Sequence, residues 1–372
     1  MEQYFDEMLA RIKRNKDLRE SGKQVCIPYP FERLTNVLPG IEKGQHIGLT
    51  AGTGVAKSKL SRFLFIYSVY EYVQENPNCG IKPVIFYFIL ENSMQEVIDE
   101  MVCHRLKKAY KLDIDSKLLN SKKAILSAEV VAKIEESRLY FRDLGKYLKV
   151  IHNVHNPYGI YKEVRTYMRE NGEVHEEETT DENNKVVKIP KSYTPKDPET
   201  HVIVIVDNLN NIQKEKNHEN KWAAMKDWTA NYARMNLCKF YNCTVVTIQQ
   251  QDLDSQKLTY STYAGEAIKG KVVPSVATLA ENKTTSQDFH LIFGIFHPRL
   301  YKFDSDLGYD LDLLEDSYRN LSILKSNDTG SGFELGLYFN GASETFIELP
   351  HPKTNAKALL EFYDNFRQKY HK

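Results

Sequence analysis

The stretch Ala51-Gly52-Thr53-Gly54-Val55-Ala56-Lys57-Ser58 sets two glycines, a lysine and a hydroxyl residue between an apolar segment, HIGLT, and an apolar helical pattern, LSRFLFIYSVY. Backbone N–H groups in such a turn, together with the N-terminus of the following helix, cradle phosphate oxygens; a lysine reaches the β- and γ-phosphates and a hydroxyl ligates Mg²⁺. The residues assigned to this cradle are Gly52, Thr53, Gly54, Val55, Ala56, Lys57, Ser58 and Lys59, with ATP and Mg²⁺ as the expected occupants. The pattern GxxxxGK[ST] is met imperfectly, because alanines stand at both anchor positions, Ala51 and Ala56. Should Ala56 need a left-handed backbone, its methyl group costs about 1–2 kcal/mol. A strand-to-helix turn without any ligand is the competing reading.

Three further segments add chemistry to that loop. PVIFYFIL runs into Glu91 and HVIVIVD ends in Asp207, so each offers an acid where a parallel sheet presents its ligand-binding edge. Asp207 suits the Mg²⁺ shell alongside Ser58, and Glu91 suits the orientation and polarisation of an attacking water. CTVVTIQQQ ends in Gln249, Gln250 and Gln251, amides able to sense a γ-phosphate. Taken singly, each acid also reads as a helix cap or turn residue, and the glutamines as polar residues leaving a strand.

The elements that must position these groups are legible as alternation. Apolar, β-branched and aromatic runs (HIGLT, PVIFYFIL, YLKVIHN, HVIVIVD, CTVVTIQ) alternate with helical segments from about Lys57, through Met94 to Tyr110, and near Tyr161 to Glu170. Strands that are apolar throughout are buried on both faces, so the expected fold is α/β with a largely parallel sheet between helices. FHLIFGIF, NLSILKS, FELGLYF and TFIEL read as further strands and AKALLEFYDNFRQKYHK as a closing helix. Residues 1–20 read as an amphipathic helix with Tyr4, Phe5, Met8, Leu9 and Ile12 on one face. A polar stretch at about 171–200 is too long for an ordinary connection and reads as a surface insertion. A hairpin turning at Asn183 and Asn184 and an unstructured loop are both compatible with it.

The chain has 372 residues, and its 50 basic side chains balance 50 acidic ones, so any nucleic-acid surface must be local. Five cysteines without CxxC spacing suit a reduced, cytoplasmic setting. No apolar run approaches the roughly 20 residues of a membrane span. The histidines form no HxxxH or HExxH pair, which argues against a protein-built metal cage.

With these residues in place, the chain from about Ile27 to Leu349 resembles the motor domain of DnaB-like replicative DNA helicases and their phage relatives, members of the RecA superfamily. IPYPFERLTNVLPGIEKGQHIGLTAGTGVAKSKL is similar to that family's lead-in and P-loop, and VIFYFILENSMQEVIDEMV to its catalytic-glutamate segment, matching Glu91. HVIVIVDNLNNI resembles Walker B at Asp207, and NCTVVTIQQQ the sensor strand, best aligned at Gln250. VPSVATLAENKTTSQDFHLIFGIF resembles the DNA-loop segment, with Glu281, Gln287 and Asp288 in register. NLSILKSNDTGSGFELGLYFNGASETFIEL resembles the C-terminal hairpin that presents a lysine and an arginine finger to the neighbouring subunit's nucleotide.

The resemblance implies a RecA-like core over 27–350, a linker helix over 1–20 that docks on an adjacent protomer, and a C-terminal helix over 351–372. It also implies a homohexameric ring on single-stranded DNA, with a primase or a loader as further partners. Catalysis would rest on Glu91, Lys57, Gln250 and Lys325, with DNA contacts at Lys269, Lys271 and Lys283 in the loop after the sensor strand. The chain departs from the pattern at Ala56 and at Asn327, which stands where the finger arginine is expected; Arg299 or Arg319 is then the substitute. The N-terminal helical domain of the family has no counterpart in this sequence. The runner-up is a RecA-like ATP-binding switch or assembly protein with little unwinding.

Overall fold

The structure is a computed structural model that describes residues 1–120, 122, 124–180, 186–252 and 272–370. Thirteen strands are assigned among them: β1 (His46–Ala51), β2 (Lys82–Ile89), β3 (Leu148–Ile151), β4 (Gly172–Thr180), β5 (Val186–Pro195), β6 (Thr200–Asp207), β7 (Thr244–Gln250), β8 (Leu291–Phe296), β9 (Ser305–Asp306), β10 (Tyr309–Asp310), β11 (Tyr318–Ser326), β12 (Glu334–Asn340) and β13 (Thr345–Glu348). Nine of them form one sheet in the order β13-β12-β11-β8-β1-β7-β6-β2-β3. The run from β8 to β3 is parallel throughout, and β11, β12 and β13 extend it antiparallel.

Burial on both faces explains why the sequence reads as continuous apolar runs. In β2, Ile85, Tyr87 and Ile89 enter one core while Phe86 and Phe88 enter the other; in β6, Ile203 and Ile205 are divided in the same way from Val202, Val204 and Val206. The first core is covered by the helical run 57–75 and by Met94–Tyr110, the second by Pro157–Glu170 and the helical run 221–240. Helix Met94–Tyr110 starts at a reciprocal capping box between Ser93 and Glu96, which fixes where the chain turns after β2.

The insertion is a hairpin, β4 paired with β5 from Gly172↔Pro195 to Thr180↔Val186, and the expected turn at Asn183 and Asn184 lies outside the described residues. At the N-terminus a helix spans Glu2–Glu20, with Phe5, Leu9 and Ile12 exposed; the side chain of Tyr4 lies outside the described residues. The C-terminal helix Ala356–Tyr370 packs Leu359, Tyr363 and Phe366 against Tyr309, Leu311, Tyr318 and Tyr338 in a separate small core. All five cysteines are buried thiols. Among the described residues no helix is long and apolar enough to cross a membrane.

Candidate functional site

Parallel strands bring their C-terminal ends to one edge of the sheet, and the candidate groups converge there. In register, Ala51 of β1 lies level with Gln250 of β7, and Asp207 of β6 lies level with Ile89 of β2, two residues before Glu91. The loop between β1 and the helix that begins at Lys57 leaves Thr53 and Gly54 exposed, with open space where a side chain on Gly54 would lie. Gly54 (φ 72°) and Ala56 (φ 81°, ψ 34°) both hold left-handed backbone. Ala56 thus takes the glycine-favouring conformation despite its methyl group.

Lys57 is buried at the start of the helix and donates from Nζ to the carbonyl of Gly52 at 2.8 Å. Burial lowers its pKa to about 8, against the pull of Glu91 and Asp207. Ser58 donates from Oγ to Asp207 Oδ1 at 2.9 Å, and Tyr87 donates its hydroxyl to Asp207 Oδ2 at 2.7 Å. Burial raises the pKa of Asp207, while Arg62, these two hydroxyls and Lys57 favour its carboxylate. Glu91 is exposed and accepts a short hydrogen bond from the Asn208 side-chain amide. Asn208 in turn accepts from the Asn210 backbone, and the Asn210 side chain accepts from the backbone N–H of Gln250. The segment after β6 is therefore tied to both Glu91 and β7.

The three glutamines separate by strand alternation. Gln249 is buried and bonds the carbonyls of Ala280 and Asn282 and the hydroxyl of Thr285; Gln251 bonds Thr50 and Thr278. Both fasten the 275–288 segment to β7. Gln250 is half-buried on the opposite side, beside Ala51. Lys59 turns away from the loop: its ammonium donates to Gly341 O at 2.9 Å and pairs with Glu100 at 3.0 Å, leaving only its backbone near the turn.

Other expected residues lie elsewhere. Lys325 pairs with Ile292 near the start of β8, so it sits at the opposite edge of the sheet from the loop of its own chain. Its ammonium donates to the carbonyls of Ser286 and Phe289 at 3.0 and 2.7 Å. Lys283 is exposed at the start of the short helix Lys283–Asp288, whereas Lys269 and Lys271 lie outside the described residues.

Arg319 as a substitute finger is corrected by its burial between β8 and β12. It is 4% exposed, and its Nε donates to the carbonyl of Val55 in the same chain at 3.1 Å, so it braces the loop after β1. Arg299 pairs with Asp304 and Asp312. The arginine whose charge bears on Lys325 is Arg234, which donates to Gln287 O at 3.0 Å; burial and this neighbour lower the lysine's pKa.

Tyr87, Asn208, Arg62 and Glu344 were not singled out from the sequence. One faint signal existed, since Arg62 is the lone charge within the apolar run LSRFLFIYSVY.

A nine-stranded, mostly parallel sheet with a glycine-containing loop and helix after its central strand, and antiparallel strands toward its C-terminus, is the RecA-like α/β fold of P-loop ATPase domains. Among solved structures, the chain is similar to the "ATPase Domain of G40P", with a TM-score of 0.65 and 14% identity over 92% of this chain and 98% of that one. It is also similar to a DnaB-like replicative helicase solved in a study of its interactions with primase, with a TM-score of 0.63 and 13% identity, over 92% of this chain and 66% of that one. The fold is therefore that of DnaB-like helicase ATPase domains. No family model matches the sequence, and no curated protein matches it significantly.

Proposed function

We propose that the chain is an ATP hydrolase of the RecA type, acting as the motor of a DNA helicase that moves along single-stranded DNA as a ring of its own copies, six by the resemblance. The observation that carries this reading is the Ser58–Asp207 hydrogen bond at 2.9 Å beside buried Lys57, with Glu91 held by Asn208 on the neighbouring strand end.

In this reading Lys57 exchanges the Gly52 carbonyl for the β- and γ-phosphate oxygens of ATP, and Ser58 and Asp207 hold Mg²⁺. The metal supplies neutralisation of phosphate charge. Glu91, aimed by Asn208, accepts the proton of a water whose oxygen bonds to the γ-phosphorus as the bond to the β–γ bridging oxygen breaks and ADP leaves. Gln250 meets the γ-phosphate, and its carbonyl, which accepts from the Ala280 N–H at 2.7 Å, passes the change to the segment that carries Lys283. Lys325, with Arg234 beside it, serves the nucleotide of an adjacent copy. A cytoplasmic setting and an encounter with primase or loader belong to the same reading.

An ATP-driven switch with slow turnover is the second reading, favoured by the exposed amide of Asn327 at the finger position. The test is ATP turnover with and without single-stranded DNA, run beside native mass. Turnover stimulated by DNA in an oligomer is expected, abolished by Lys57→Ala; Glu91→Gln should keep nucleotide binding and lose hydrolysis. Unchanged turnover in Glu91→Gln would remove that residue from the mechanism. Tight ATP binding without turnover in the unaltered protein would select the switch.

A further inference from the structure

Behind the loop lies a polar network that the reaction as described does not use. Arg62, wholly buried on the first-core side, donates from Nη1 to the Tyr87 hydroxyl at 3.0 Å and grips Glu344 through Nε at 3.1 Å and through a short Nη2 contact; a second short contact reaches Glu100. Glu344 is also wholly buried, holds left-handed backbone in the turn between β12 and β13, and accepts from the Tyr67 hydroxyl at 2.7 Å. His104 binds the adjacent Ser343 carbonyl at 2.9 Å, and Lys59 binds Gly341 of the same turn. Four side chains from two helical runs, Lys59, Arg62, Tyr67 and His104, thus converge on a turn that is far away in sequence.

A guanidinium only donates hydrogen bonds, and a phenol has one proton. With Arg62 donating to the Tyr87 oxygen, that proton has one place to go, Asp207 Oδ2 at 2.7 Å. The other carboxylate oxygen of Asp207 accepts from Ser58. Both oxygens are then fixed, so the plane of the carboxylate is set, and the Ser58 hydroxyl keeps its lone pairs turned outward.

We propose that Tyr87 is a positioning residue for the Asp207 carboxylate, and that the Arg62–Glu344 pair fixes the direction of its hydroxyl, making the β12–β13 turn part of the metal site. This rests on the nucleotide reading of the loop, because the carboxylate matters only if Asp207 and Ser58 hold a cation. Burial opposes the charge on Arg62, but Glu344 and Tyr87 hold its pKa well above the ordinary value. Burial likewise opposes ionisation of Glu344, and Arg62 overcomes it. The pair is charged as the hydrogen-bond directions require.

Removing Arg62 alone would leave Glu344 as a wholly buried carboxylate without its main partner, and removing Glu344 alone would leave Arg62 with Glu100 only; either threatens folding. Tyr87→Phe keeps the ring and removes only the hydroxyl. The measurement is Mn²⁺ affinity, read by paramagnetic resonance, of the full chain bound to a non-hydrolysable ATP analogue. Analogue affinity in chelator is measured alongside. A hydrogen bond to a buried charged group is worth enough to weaken Mn²⁺ binding roughly tenfold in Tyr87→Phe. Analogue affinity without metal should stay unchanged. In an Asp207→Asn background the same change should cost nothing further, since Tyr87 acts through that carboxylate.

A paired Arg62→Met, Glu344→Leu variant replaces the ion pair with apolar groups of similar size and frees the hydroxyl to turn. It should weaken Mn²⁺ binding several-fold, and it decides the matter if Tyr87→Phe does not fold. Equal Mn²⁺ affinity in the variants and the unaltered protein would overturn the proposal, as would the same loss from Tyr87→Phe in the Asp207→Asn background. Failure of the unaltered protein to bind the analogue would instead overturn the nucleotide reading on which it stands.

Discussion

Ala56 and Lys57 are adjacent residues that each pay in stability for the shape and charge of one loop. Ala56 sits at φ 81°, where its Cβ costs about 1–2 kcal/mol, partly offset because glycine would gain entropy in the unfolded chain. Ala56→Gly should therefore stabilise the protein by about 0.5–1 kcal/mol, a rise of about 1–2 °C in melting temperature for a chain of this size. Affinity for an ATP analogue should hardly change, because the alanine already adopts the left-handed form. A fall in melting temperature would show that the methyl group has packing that outweighs the strain.

For Lys57 the sign follows from linkage. Its folded pKa of about 8 lies below the ordinary 10.5, so the unfolded chain holds the extra proton between those values and stability rises with pH across that window. Below about pH 8 the full desolvation penalty is present. Lys57→Met should then melt higher than the unaltered protein at pH 7, by on the order of 2 kcal/mol, and this advantage should shrink from pH 8 toward 10.5. Thermal melts at pH 7 and pH 10 in the absence of nucleotide decide it; a constant difference would place the penalty elsewhere.

Among the elements, the helix Glu2–Glu20 carries three exposed apolar side chains among its described residues, Phe5, Leu9 and Ile12, with Met8 half-buried. Helices in proteins draw most of their stability from packing an amphipathic face, so a second surface is expected to receive these side chains. Removing residues 1–20 should reduce the assembly to smaller species in sedimentation, and an unchanged oligomer would rule out exchange of this helix between copies. The strands were the most legible elements, because β-branched residues on two buried faces leave a local pattern, as in PVIFYFIL and HVIVIVD. The insertion was legible as an insertion, with a hairpin and an unstructured loop left open as its form, and the structure shows the hairpin. Its hairpin form depends on anchoring at the base, where Tyr193 donates to Met168 O at 2.9 Å and rests against Tyr241. The helices Ala128–Glu136 and Lys221–Asp227 went unread.

The candidate site divided in the same way. Asp207 ends a readable strand, Glu91 lies two residues past one, and Lys57 and Ser58 open the helix after a third, so the sequence pattern singled them out as candidates. Tyr87 and Glu344 acquire their roles from Arg62 across the fold, and nothing in their own neighbourhoods signals it. Arg319 was named only because Asn327 leaves the finger position without a cation; its burial follows from the place of β11 between β12 and β8, a sheet order that the local sequence does not show.

At the scale of the whole molecule, equal numbers of acidic and basic side chains mean that, in the proposed helicase reading, affinity for DNA must come from a local basic cluster rather than from net charge. The segment after β7 is the candidate, because it is fastened to β7, where Gln249 bonds Ala280, Asn282 and Thr285, and to the helix Lys221–Asp227, where Lys226 pairs with Asp288 at 2.8 Å. Lys283 rides on that segment and is exposed, with Lys269 and Lys271 preceding it in sequence. A lysine that serves only solubility would look the same in one chain, so salt dependence is the discriminating quantity. Contacts to backbone phosphates release counterions, and each lysine lost should lower the slope of log affinity against log salt by about 0.7 on a single strand. Sequence preference should barely move. The measurement is a salt titration of single-stranded DNA binding, with an ATP analogue present, for the unaltered protein and for Lys269→Ala, Lys271→Ala and Lys283→Ala. Identical slopes in all four would place any DNA surface elsewhere on the protein, and no binding at any salt would favour the ATP-driven switch over the translocating motor.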